Sequence, residues 1–310
     1  YIVPVAAAPM CMVGFAGHIA LLFLLVAVTG AATAAYHPLS SMLVGRTAAE
    51  GRGNGMMSYF IAGGNAGMAF VPLVLVAFLE KLSLSALPLL ILPAALMGAL
   101  FVRSGLCSVS SLPERTTVVR PKLARVLFAR TTITLNLAMG LRCWTHGAFG
   151  TFLPLLLVGS GADTSAAGLF LTIFMVGGMM GGLFGGNLAD QFTGRSIIVT
   201  SLVLGILPCA YYFTHVSADV FGGIVLFAAG FALMAPQPSS IIWAQQALPE
   251  NAAMASGMML GMSFGLGSLG VAATAALGDV IGLAPALLTS VIALPLAALL
   301  AYITPEPKNR

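Results

Sequence analysis

Charge is what this sequence lacks. Only 7% of its 310 residues are charged, 59% are hydrophobic, and the mean hydropathy is +1.02. Soluble globular domains carry about 25% charged residues, so this composition cannot cover a water-facing surface and places the chain in a lipid bilayer. Acids are scarce and sit at the ends of apolar runs. The histidines are scattered, so an enzyme embedded in the membrane would lack the paired acids, metal cluster or activated nucleophile it needs. The four cysteines, Cys11, Cys107, Cys143 and Cys209, have no metal-ligand spacing and read as free thiols. No metal, cofactor or nucleic-acid partner is expected. A basic leader is missing too: Tyr1-Ile2-Val3-Pro4 opens without Met, so residue 1 reads as a cut.

What the chain has is apolar runs of spanning length. Ten occur, at about 1–16, 18–44, 54–78, 84–102, 126–158, 164–187, 196–213, 220–247, 252–277 and 281–303. If each run crosses, eleven of the thirteen Lys and Arg fall on one side: Arg46, Arg52, Arg103, Arg115, Arg120, Lys122, Arg125, Arg130, Arg195, Lys308 and Arg310. The opposite loops hold Lys81 with Glu80, Asp163, Asp219 and Asp279. The positive-inside rule makes the basic side cytoplasmic, with the C-terminus on it. Residues 103–125, rich in Ser and basic residues with Pro113 and Pro121, read as a cytoplasmic linker between a four-span bundle (1–102) and a six-span bundle (126–310).

The order of landmarks occurs twice. Tyr36-His37-Pro38-Leu39-Ser40-Ser41 and Gly55-Met56-Met57 are echoed by Gln237-Pro238-Ser239-Ser240 and Gly257-Met258-Met259, at offsets of 200 (237 minus 37) and 202 (257 minus 55). A duplicated unit of about 200 residues is the pattern of secondary transporters. Equal halves would place two further spans, about 90 residues, before Tyr1.

Ionisable groups within the runs are the candidates for function. Arg142 lies about 18 Å along its helix from Arg130, near mid-membrane, where a charge costs roughly 2.5–3.5 kcal/mol. It must face a wet cavity or a partner. With His146 one turn on, and Cys143 and Trp144 alongside, it would make a basic, aromatic-edged wall for a phosphonate, phosphate or carboxylate. The plainer reading has Arg142 capping a buried carbonyl or pairing with an acid in the absent helices. His37-Pro38 and Gln237-Pro238 would kink their helices at a polar residue and could flank one site from opposite bundles. His37 is also the first-half candidate for proton coupling. Asn65, within Gly63-Gly64-Asn65-Ala66-Gly67, either contacts ligand or sits in a stripe that lets helices pack closely.

Gly185-Gly186-Asn187-Leu188-Ala189-Asp190-Gln191-Phe192-Thr193-Gly194-Arg195 resembles the loop signature of the major facilitator superfamily. That resemblance implies an all-α membrane protein of 6+6 spans, ten of them present, and carries Gly186, Asp190, Gly194 and Arg195 over as conformational-gate residues. Gln191 stands where a basic residue is usual, and one extra residue precedes Gly194-Arg195. Within the superfamily the chain is similar to the fosmidomycin-resistance group of efflux proteins. The matching stretches are Tyr36 to Ser41, Gly63 to Gly67 with Pro72-Leu73, and Ala244-Gln245-Gln246-Ala247-Leu248-Pro249 leading into Ser256-Gly257 and Gly265-Leu266-Gly267. Val71 stands before Pro72 where the group has glycine. The resemblance implies a monomeric plasma-membrane transporter of the bacterial inner membrane, exporting a small anionic or amphipathic drug against protons. Arg142, His37, Asn65, His146 and Gln237 would line its site, with Pro38, Pro72 and Pro238 as kinks. Uptake of an organic acid, sugar or other metabolite would use the same fold.

Overall fold

The computed structural model describes residues 2–105 and 129–306; most of the 103–125 linker, Cys107, Lys308 and Arg310 lie outside the described residues. Helices follow one another as α1 (Ile2–Cys11), α2 (Ile19–Thr47), α3 (Gly53–Lys81), a 3-10 turn (Leu84–Leu90) leading into α4 (Ile91–Arg103), α5 (Arg130–Gly159), α6 (Thr164–Gln191), α7 (Gly194–Thr214), α8 (Val220–Met234), α9 (Pro236–Ala247), α10 (Ala252–Ile281) and α11 (Leu283–Ile303). Every apolar run of the sequence holds a helix, and the eighth holds the pair α8 and α9. Among the described residues seven segments are long and apolar enough to cross a membrane. α3 and α5, at 29 and 30 residues, are long enough to cross as well; in α5 Asn136, Arg142 and His146 dilute the hydropathy.

Polar residues set the helix starts. Asp163 accepts the Ala166 amide at 2.6 Å, Thr193 the Ser196 amide at 3.1 Å and Asp219 the Gly222 amide at 2.7 Å, each satisfying an amide that the first turn leaves unpaired. Between α10 and α11 the chain reverses on Gly282 at φ +90°, a conformation that an L side chain resists.

Within the second-half bundle, α6 and α8 approach backbone to backbone. Gly177, Gly181 and Gly185 recur every four residues on one face of α6, and a Cβ at each would overlap the backbone of Phe227, Phe231 and Ala235, also four apart. Gly230 returns the contact against the Phe174 carbonyl. Lipid gives helices no hydrophobic reason to associate, so close van der Waals contact along small residues holds such pairs together. Beside this seam Phe149 is sandwiched between Phe174 (4.9 Å) and Phe213 (4.2 Å), offset stacks worth about 0.5–1.5 kcal/mol each beyond area burial. On its other faces α5 is fixed to α10, whose Gly267 and Gly270 admit Cys143 and Trp144, and to α11, where Thr145 donates to the Ser290 carbonyl at 2.7 Å.

The two bundles meet through α3 against α6 and α2 against α10. Their close contacts sit at the end that carries Arg46, Arg52 and Arg195, where Gly45, Gly55, Gly186 and Gly257 lie against the opposite bundle. Farther along the same helices Gly63, Gly64, Gly67, Gly261 and Gly265 face open space. The basic end of the interface is therefore closed.

Candidate functional site

Arg142 is 1% exposed and sits where the eighth run breaks. Pro236 and Pro238 bring no amide hydrogen, so α8 stops at Met234 and α9 begins afresh after Ala235. The guanidinium fills that break. Its Nη1 donates to the Leu233 carbonyl (3.3 Å) and the Met234 thioether (3.2 Å). Nη2 donates to Cys143 Sγ (3.1 Å) and to Gln237 Oε1. Nε is buried without a partner. All four acceptors are neutral, and among the described residues no carboxylate pairs with the guanidinium; the ion pair there is Arg195 with Glu306.

Of the sequence candidates, Arg142 and Gln237 are thus in direct contact. His146 lies one turn along α5, half-buried, with its ring 5.3 Å from Phe174. Trp144 does not join the wall. Successive helical residues are rotated by about 100°, which turns Trp144 toward α10, where its Nε1 donates to Thr274 at 2.8 Å. His37 is exposed on α2 with its ring 5.5 Å from Tyr36, and Asn65 is half-buried on α3. No hydrogen bond joins either to Arg142 or Gln237 among the described residues. α2 runs unbroken through Pro38, where the Ser41 hydroxyl donates to the His37 carbonyl at 2.7 Å. Pro72 lies within α3, but its side chain is outside the described residues.

The loop signature after α6 splits into two roles. Asp190 reaches across to the first-half bundle and caps α3: Oδ1 accepts the Asn54 amide and side chain, both at 2.9 Å, and Oδ2 accepts the Gly55 amide at 2.7 Å. A carboxylate at a helix N-terminus also meets the positive end of its dipole. Gly186, one turn earlier, leaves room for the Asn54 carbonyl and Ser58, and Asn187 donates to Ser58 Oγ at 3.4 Å. Arg195 instead stays in its own bundle. It donates to the Thr304 carbonyl at 2.6 Å, approaches Glu306 at 3.3 Å without hydrogen-bond alignment, and lies 5.7 Å from the Trp243 ring centre. Gly194 lies beside Ser239.

Two partners escaped the sequence reading. Gly53-Asn54-Gly55, which opens α3, could have been noticed as a helix start with free amides. Gln245 carried no assigned role, and its signal was only its place in a matching stretch. Between these contacts lies a cleft of about 610 Å³, lined by Arg46, Glu50 and Asn54 from one bundle and Asp190, Gln245 and Gln246 from the other.

Two helical bundles, multiply spanning and closed against each other at one end through a capped helix, define a multi-pass membrane transporter. Residues 2–270 match the Major Facilitator Superfamily model, and the chain belongs to that superfamily. It is 27% identical over 296 residues to the Uncharacterized MFS-type transporter YfnC of Bacillus subtilis (strain 168), covering 90% of this chain and 69% of that one. It is 26% identical over 275 residues to the Fosmidomycin resistance protein of Escherichia coli (strain K12), covering 87% and 67%. Among solved structures, the E. coli fucose:proton symporter FucP superposes with a TM-score of 0.77 at 16% identity, covering 98% of this chain and 82% of that one; this likeness concerns the fold alone.

Proposed function

We propose that this protein exports a small anionic or amphipathic drug-like solute in exchange for protons, rocking a first-half bundle (1–102) against a second-half bundle (126–310) about a midplane site. The observation that carries the reading is the buried guanidinium of Arg142, held at a helix break by a carbonyl, two sulfurs and an amide, with no carboxylate paired to it among the described residues. A buried cation without a counter-charge gains most from an anionic ligand. Gln237 positions the fork, and His146, His37 and Asn65 line the path of the solute, His37 serving as the proton carrier. Asp190 holds the basic end shut by capping α3. The protein works as a monomer in a bacterial inner membrane, with the basic end, the 103–125 linker and the C-terminus in the cytoplasm. Similarity to the fosmidomycin resistance protein supports an antibiotic-like solute.

The test is flux of fosmidomycin by the full-length protein in proteoliposomes carrying a pH gradient. Arg142→Ala is expected to abolish flux and Arg142→Lys to retain part of it. Unchanged flux in the alanine variant removes Arg142 from the mechanism. Movement of an organic acid with the proton gradient, and none of the drug, replaces export by uptake.

A further inference from the structure

Gln245 belongs to none of the roles above, yet it is buried and bonds helices of both bundles. It sits near the end of α9, is 8% exposed, and points out of its own bundle. Its Nε2 donates to the Ser41 carbonyl of α2 at 3.0 Å and to Ser256 Oγ of α10 at 2.8 Å. The Ser256 hydroxyl in turn donates a hydrogen bond to the Ala252 carbonyl at 2.9 Å, so the chain of donors is complete. On α2 the receiving face is built from Pro38, Ser41 and Gly45, at spacings of three and four that align them on one side of a helix. Pro38 rests on Gly257 of α10, where an added Cβ would come within 3.2 Å of its ring. A Cβ on Gly45 would overlap the carboxamide oxygen of Gln245. Glycine at 45 is therefore the berth for that side chain.

The two residues also lie at nearly matching places in the internal repeat: Ser41 answers Ser240 at an offset of 199, which sets Gly45 opposite Ala244, the neighbour of Gln245. There is room for one carboxamide at this contact; the second half supplies it and the first half supplies the space.

We propose that Gln245 is a positioning residue for transport: an inter-bundle latch that holds α2 against α9 and α10 at the basic end, on a different helix pair from the Asp190 contact. This rests on the alternating-access reading above. Because the carboxamide is neutral, the latch holds by geometry and releases when the bundles part, without any change of protonation. It also grips α2 one turn from His37-Pro38, so opening of the basic end and movement of that segment are mechanically tied.

The test uses the full-length protein with Cys11 and Cys107 replaced, the buried Cys143 and Cys209 kept, and spin labels on Ala49→Cys and Glu250→Cys, exposed positions in opposite bundles. Gln245→Ala is expected to lower the ratio of short to long distances by up to about tenfold, the upper size for one lost buried hydrogen bond, because only the bond to Ser41 crosses between the bundles. Gly45→Ala leaves the second bundle untouched but evicts the carboxamide, so it gives the same shift and decides the matter if Gln245→Ala does not fold. Gly45→Gln combined with Gln245→Gly returns the ratio to within about threefold of the parent, because the berth and its occupant have only changed sides. A residue with a purely structural role would lower the unfolding temperature without moving population between the two distances. Unchanged distances in both alanine variants overturn the latch, and failure of the exchanged pair to recover overturns Gly45 as its berth. Absence of flux in the parent protein, with the distance shifts intact, would instead overturn the transport reading and leave the latch standing.

Discussion

Asp190 accepts the backbone amide of Gly55 at 2.7 Å, tying the last turn of α6 to the first turn of α3 across 135 residues of sequence. The carboxylate does for α3 what a local N-cap residue would do, because Arg52, the residue before that helix, provides no side-chain cap. Removing Asp190 therefore unties two bundles and uncaps one helix in a single step.

Asp190→Ala is expected to weaken closure of the basic end by about 1–2 kcal/mol, the usual worth of a cap with its dipole contribution. Asp190→Asn, which keeps an acceptor oxygen but loses the charge, should cost about half as much. Distance measurements between labels on the two bundles check both, and equal closure in all three proteins would show that the cap carries no inter-bundle energy.

Arg142→Met separates the two readings of the buried arginine. It removes the charge, keeps an apolar chain of similar reach, and orphans the Leu233 carbonyl and Gln237 Oε1. Loss of a buried cation and loss of its hydrogen bonds oppose each other, so thermal stability should stay within about 2 kcal/mol of the parent. Flux of an anionic solute should disappear. Parallel loss of stability and flux would assign the guanidinium to packing at the helix break instead.

Gly181→Leu should be destabilising by about 1–3 kcal/mol or more, because the side chain has only the α8 backbone at Phe231 to displace. Gly64→Ala is the control: nothing lies within 4 Å of the position, and alanine favours the helix by up to about 1 kcal/mol. Thermal unfolding in detergent compares them, and similar melting temperatures would contradict the backbone-to-backbone contact of α6 and α8.

Asp219 titrates below the ordinary carboxylate range because it accepts the Gly222 amide and then the Ser217 hydroxyl, and both bonds favour the ionised form. A depressed folded pKa stabilises above the unfolded value, near 3.9, and that stabilisation fades as pH falls through the folded value. Stability of the α7–α8 turn should therefore fall on acidification below about pH 4. Asp219→Asn, which retains a cap acceptor, should flatten that segment of the pH profile in hydrogen-exchange measurements; an unchanged profile would exclude the carboxylate as its source.

Composition and local pattern determined a good deal. The solvent, the helical class and the ten runs follow from apolar residues counted over windows of about twenty, a property that no tertiary contact can reverse in a bilayer. The superfamily was legible in Gly186, Asp190, Gly194 and Arg195 because a tight loop at a membrane surface constrains its residues locally. The same cue stood at His37-Pro38 and at Gln237-Pro238; a helix ends beside the second, at Met234, whereas α2 runs unbroken through the first.

Which side chains meet was decided only by the tertiary structure. The sequence placed Trp144 beside Arg142, but helical rotation turns it toward α10. It grouped Asp190 with Arg195, yet one crosses to α3 and the other clamps the end of α11. Gln245 and Gly45 carry no local sign of each other. Their contact depends on the tilt and rotation of four helices from two bundles, set by packing against distant neighbours, and a single strand of sequence holds no record of that until the helices are brought together.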